Sequence, residues 1–133
     1  MRMDYGSHLE PQRKLSAREC RAVLASHHEG RLGYQSGRGP RSLVVSYAIT
    51  EDAIMMRLPD YNDAVHYAPG AEVQLEVDGR VPAGMDEVLV TGTAVVDDER
   101  GKQARFTEEW PQGVATSVVC VPLTRVEGIE HPV

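Results

Sequence analysis

The chain has 133 residues, 41% of them apolar and 26% charged, which suits one domain with its own core. A net charge of −6 and a pI near 5.3 exclude a general nucleic-acid binder, which needs a basic footprint, and disfavour docking on an anionic membrane. No apolar run reaches the ~18 residues of a membrane span. Aromatic residues are only 5%, so the core has to be built from Val, Leu, Ile, Met and Ala. Cys20 and Cys120 form no CxxC pair and are expected as buried thiols in a reducing compartment. Residues 1–14 carry no apolar signal-peptide segment and read as a flexible tail on a cytoplasmic protein.

Residues 15–130 form the expected domain, which opens with a helix. Ser16 and Glu19 have the spacing of a capping box, Leu15 and Cys20 sit at staple positions, and Gly30 is a natural stop. A short strand, RLGYQS, precedes a GRGP turn and the longer strand RSLVVSYAIT. In the latter, Leu43, Val45, Tyr47 and Ile49 point one way and Val44, Ser46 and Ala48 the other; both faces are apolar or small, which predicts a central strand. Thr50-Glu51-Asp52 makes a hairpin turn into AIMMRL, with Met55 and Arg57 opposite Ile54, Met56 and Leu58. Pro59 ends that strand, and Asp60 or Asn62 caps a short helix, NDAVHYA.

AEVQLEVD alternates, placing Val73, Leu75 and Val77 inside. GRVPAGMD reads as a loop, and EVLVTGTAVVDD as one long strand bent near Gly92. DERGKQARF reads as a weak helix and EEWPQGVA as a loop. TSVVCVPLTRVEGIEH reads as a single last strand with a bulge or edge position at Pro122. About six antiparallel strands in so short a chain are most economically arranged as a small closed or half-closed barrel, which hides the sheet edges.

This ordered series resembles the split-barrel flavin-binding proteins related to pyridoxamine 5′-phosphate oxidase, in particular the small actinobacterial-type members. The resemblance rests on E-C-R-A-V-L-A, G-R-L-G-Y, V-S-Y-A-I, D-A-I-M-M-R-L, V-Q-L-E-V-D and V-L-V-T-G-T-A, in that order. It implies a mainly β fold, a six-stranded antiparallel Greek-key split barrel. It also implies a homodimer with FMN in a groove between the two barrels, and flavin-dependent oxidoreductase chemistry on a small-molecule ligand. The strand Val44–Ala48 would line the ring through Val45, Ser46 and Tyr47, and Arg57 at the end of the third strand would hold the phosphate.

The family form of that phosphate segment carries a hydroxyl and a lysine where this chain has Leu58 and Asn62, and Asp60 has entered the same loop. A phosphate needs several donors and positive charge to offset its desolvation, so these departures weaken FMN binding relative to the family form. The alternatives are a flavin-free dimer acting as a binding or structural protein, or a related cofactor such as deazaflavin or haem.

Other residues have two readings each. Tyr47 either stacks on a flavin or is core with a satisfied hydroxyl. Ser46 either offers a polar contact or is a small residue tolerated on a strand. Trp110, the only tryptophan, either closes the site from the partner subunit, as the resemblance implies, or anchors a loop. His66 either reaches an anion or is a surface histidine. Arg31, Arg38 and Arg41 are the only obvious basic cluster, or a solvated turn. No ligand spacing suggests a metal site, Gly37-Arg38-Gly39 precedes a strand rather than a helix, and no general acid or base stands out, so catalytic residues remain unassigned.

Overall fold

A computed structural model describes residues 12–82, 84–106 and 110–132. Among the described residues, strands β1 (Arg13–Lys14), β2 (Glu29–Ser36), β3 (Gly39–Ser46), β6 (Glu72–Val81), β7 (Gly84–Thr93) and β10 (Arg125–Pro132) make a sheet in the order β1-β10-β7-β6-β2-β3. Strands β4 (Ala48–Ile49), β5 (Ala53–Pro59), β8 (Val95–Val96) and β9 (Thr116–Pro122) make a second sheet in the order β4-β5-β9-β8. All strand pairs are antiparallel.

Among the described residues the chain passes between sheets at four places: Tyr47 joins β3 to β4, residues 60–71 join β5 to β6, Ala94 joins β7 to β8, and Leu123-Thr124 joins β9 to β10. These transitions split the barrel into its two sheets. They also correct three expectations. The strand 41–50 is not central, because β3 pairs only with β2 and forms a sheet edge. The last strand is two strands in different sheets, with Pro122 ending the first. The long strand through Gly92 is broken at Ala94, which lies against Pro69 in an isolated parallel bridge.

The expected loop GRVPAGMD is instead the end of a long hairpin, with pairing from Glu72↔Thr93 to Val81↔Gly84. Gly84 takes a φ of +150°, which only glycine accepts readily, and lets the strand start close against His131. The tail is shorter than expected: Arg13 and Lys14 pair with Glu130 and Ile129. The rest of the expected tail, residues 1–11, lies outside the described residues.

Inside the barrel, Val73, Leu75, Val77, Val88 and Val90 from the large sheet meet Ile54, Met56, Leu58, Val119 and Val121 from the small one. Each fully buried aliphatic side chain contributes about 1.5–3 kcal/mol, so this aromatic-poor core suffices for a domain of this size.

Helix α1 (Ala17–Ser26) lies against the large sheet and buries Cys20, Val23 and Leu24. Its N-terminus is the capping box read from the sequence: Glu19 N–H donates to Ser16 Oγ at 3.1 Å and Ser16 N–H to Glu19 Oε1 at 2.9 Å. The helix ends before Gly30, because His27 is already extended as its C-cap. Arg21 ties the helix to the β4–β5 turn, donating to the carbonyls of Thr50 (2.8 Å) and Glu51 (2.9 Å). Both cysteines are free and buried, and burial pushes both thiols up.

Candidate functional site

The site is built around the end of β5. Alternation along this strand sends Ile54, Met56 and Leu58 into the main core and Met55 and Arg57 to the other face of the small sheet. There Met55, Val118 and Cys120 form a second apolar cluster, covered by Ala104 and Phe106. Arg57 is half-buried over this cluster, its guanidinium carbon 5.2 Å from the centre of the Phe106 ring. A cation over an aromatic face is attracted by the ring quadrupole.

Phe106, the chain's single phenylalanine, was not singled out from the sequence. It reaches Arg57 because helix α3 (Asp98–Gly101) docks on β9. Val118 N–H donates to Asp98 Oδ1 at 2.8 Å, and Gly101 approaches Val118 so closely that a Cβ would meet its Cγ2. The expected helix DERGKQARF forms only over this first turn.

The loop after β5 leads into helix α2 (Asp63–Tyr67) and satisfies much of its own polarity. Asp60 N–H donates to the Ala115 carbonyl, Asn62 N–H to that of Pro59, and Val65 N–H to that of Asn62. Asn62 caps the helix, its Oδ1 accepting from Ala64 N–H at 2.9 Å. Asp60 accepts from Ser117 Oγ at 2.6 Å. Leu58 is buried in the core. Tyr61 is 78% exposed at the loop tip.

Val45 and Tyr47, the expected ring-lining residues, both point into the core. The Tyr47 hydroxyl donates to the Leu24 carbonyl at 2.7 Å, and burial raises the phenol well above its ordinary value. Of the three, only Ser46 is half-buried on the outer face of the large sheet, with Val44 beyond it on the same side.

That outer face carries two adjoining clefts. One, of about 200 Å³, is lined by Glu29, Gly30, Arg31, Val44, Glu76 and Asp78. The other, of about 290 Å³, adds Gly33, Ser42, Gln74 and Leu89 around the same Arg31 and Glu76. Two of the three arginines lie on opposite sides of the sheet. Arg31 faces outward opposite Val44, whereas Arg41 lies opposite Tyr34 on the other side, with its Nε 3.7 Å from Asp63 Oδ2. His66 is exposed and sits edge-on to Tyr67. Trp110 is half-buried, and its Nε1–H has no hydrogen-bond acceptor among the described residues.

Two antiparallel sheets exchanging strands at four crossings define a split β-barrel of mainly β class. The chain belongs to the pyridoxamine 5′-phosphate oxidase family, whose pattern it matches over residues 16–130. Among solved structures it is similar to the FAD binding protein from Mycobacterium smegmatis, at 22% identity and a TM-score of 0.80, covering 91% of this chain and 99% of that one. It is also similar to an FAD-binding protein from Mesorhizobium loti, at 18% identity and a TM-score of 0.69, covering 90% and 96%. A third is a flavocytochrome from Azotobacter vinelandii, at 11% identity and a TM-score of 0.70, covering 90% and 70%. At these identities the likeness establishes the fold. No curated protein matches the sequence. Among the described residues no helix is long and apolar enough to cross a membrane.

Proposed function

We propose that this chain is a flavin-binding split-barrel protein that works as a homodimer, with Arg57 holding the flavin phosphate. The observation that carries this reading is Arg57 itself: a guanidinium on the outer face of β5, seated over the Phe106 ring, in a family fold shared with two FAD-binding proteins. A planar guanidinium offers a phosphate a bidentate, charge-assisted contact. In this reading Ser46 lies at the ring edge, and Trp110, whose Nε1–H has no acceptor among the described residues, is a further donor. Val44, 55% exposed on the outer face, is the kind of apolar surface that a partner subunit covers.

The donor set fits one modest phosphate site. It holds a single arginine, and Asn62 Oδ1 is already committed to capping. Asp60, one residue beyond β5, adds negative charge to the loop. FMN is the nucleotide proposed, bound more weakly than at a site with the full hydroxyl and lysine complement. When bound, the flavin supplies electron-transfer chemistry, and the protein contributes binding, orientation and exclusion of water.

The internally bonded loop favours a second reading, a barrel that has given up flavin and serves as a non-catalytic binding dimer. An absorbance spectrum after incubation with FMN or FAD and desalting separates the two readings. Retained flavin bands support the first, and a colourless, folded dimer supports the second.

A further inference from the structure

The outer face of the large sheet gathers three carboxylates from two neighbouring strands. One oxygen each of Glu76, Asp78 and Glu87 lies within 4.8 Å of the other two. Register explains the crowding: Asp78 is directly opposite Glu87 across the β6–β7 pair, and Glu76 is its diagonal neighbour. Like charges so placed repel, and here all three are at least partly open to solvent.

The surroundings make the cluster asymmetric. His131 on β10 places its Nε2 3.2 Å from Glu87 Oε1, while its Nδ1 lies 2.9 Å from Gln12 Nε2. An amide donating to Nδ1 leaves the ring proton on Nε2, where it points at Glu87. A ring N–H aimed at Glu87 favours its ionised form over that of Glu76, which has no such donor from His131.

Other charged groups frame the pair. On β2, Arg31 sits directly across from Glu76, with Glu29 two residues before it. β6 contributes Asp78 and, further on, Arg80; β10 contributes Glu127 and His131; β1 contributes Lys14 beyond Ile129. On β3, the outward residues Ser42, Val44 and Ser46 carry no charge.

We propose that Glu76 and Glu87 share one proton, held on Glu76, and that its loss as pH rises toward neutrality loosens the outer face of the six-stranded sheet. The directions of titration agree. The hydrogen bond to Glu87 is the largest cause raising Glu76 to about 7, followed by desolvation and Asp78, while bonds from Glu76 and His131 lower Glu87. The raised group binds a proton in the folded chain that the unfolded chain has already released. Its stabilisation is therefore complete below about 4.5, is lost as pH rises to about 7, and changes little beyond that. This device does not depend on what the barrel binds.

The test follows side-chain carboxyl carbons of the isotopically labelled wild-type chain by NMR across this range. Glu76 should titrate near neutrality, far above the exposed glutamates, and Glu87→Gln should return it toward the ordinary range. In thermal melts, the wild-type advantage over Glu76→Gln should shrink by about 2 °C or more between pH 5 and pH 8. A Glu76 carbon titrating with the other glutamates overturns the proposal in the wild-type protein alone, as does a Tm difference that stays constant with pH.

Discussion

Tyr47 donates its hydroxyl proton to the carbonyl of Leu24 at 2.7 Å, joining the residue where the chain leaves one sheet for the other to the last turn of α1. The last four carbonyls of a helix have no partner within it, and this one is buried. Its neighbour, Val23, receives Ser26 Oγ at 3.1 Å and lies 2.8 Å from His27 Nδ1. Tyr47 is therefore a cap supplied from the crossing between the two sheets. Tyr47→Phe should cost about 1–2 kcal/mol, because it leaves a buried carbonyl unsatisfied. The fall should appear in chemical denaturation, while flavin retention after desalting should be unchanged.

The Glu19 carboxylate is held down to about 2, first by the Arg13 guanidinium and then by the Ser16 N–H. A folded-state value below the ordinary one gives stability that is present above about 4.5 and lost as pH falls toward 2. Glu19→Gln should therefore destabilise the protein at neutral pH. The gap between variant and wild type should close in acid, which Tm measured against pH will show.

Helix α1 meets β10 at Gly128. A Cβ there would lie 2.6 Å from Cys20 Sγ and 2.8 Å from a Leu15 methyl, and Leu15 N–H donates to the Gly128 carbonyl at 2.8 Å. The methyl of Gly128→Ala has no room unless the helix lifts. A loss of about 1–3 kcal/mol is expected from such overpacking and is measurable by urea denaturation.

Asp60 sets a negative charge in the loop that the flavin reading assigns to the phosphate. Asp60→Asn keeps an acceptor for Ser117 and removes that charge. FMN affinity should rise by roughly threefold or more, with the gain shrinking as salt is added. A titration showing no change would remove Asp60 from the phosphate's surroundings.

Local signals were legible in the sequence where local chemistry decides the outcome. The Ser16–Glu19 capping box, the Asn62 cap and the alternation of Val73, Leu75 and Val77 all formed as their residue types require. The strand 41–50 misled because it crosses between sheets. Val45 and Tyr47 turn inward while Val44 stays exposed at an edge, and apolar residues on both sides imitate a central strand. Gly79, Pro82 and Gly84 disguised a hairpin as a loop, since breakers at a tight turn look the same in either case. The link from Arg57 to Phe106 and the Glu76–Glu87 pair depend on strand register and on docking of distant segments, which spacing along the chain does not encode.

The most direct measurement is a titration of FMN and FAD, by quenching of flavin fluorescence, against the wild-type chain, Arg57→Lys and Arg57→Ala. The account predicts that the wild type binds, that lysine keeps part of the affinity through its charge, and that alanine loses about tenfold or more with the loss of the bidentate contact. Unchanged affinity in Arg57→Ala, or no binding of either flavin by the wild type, would contradict it.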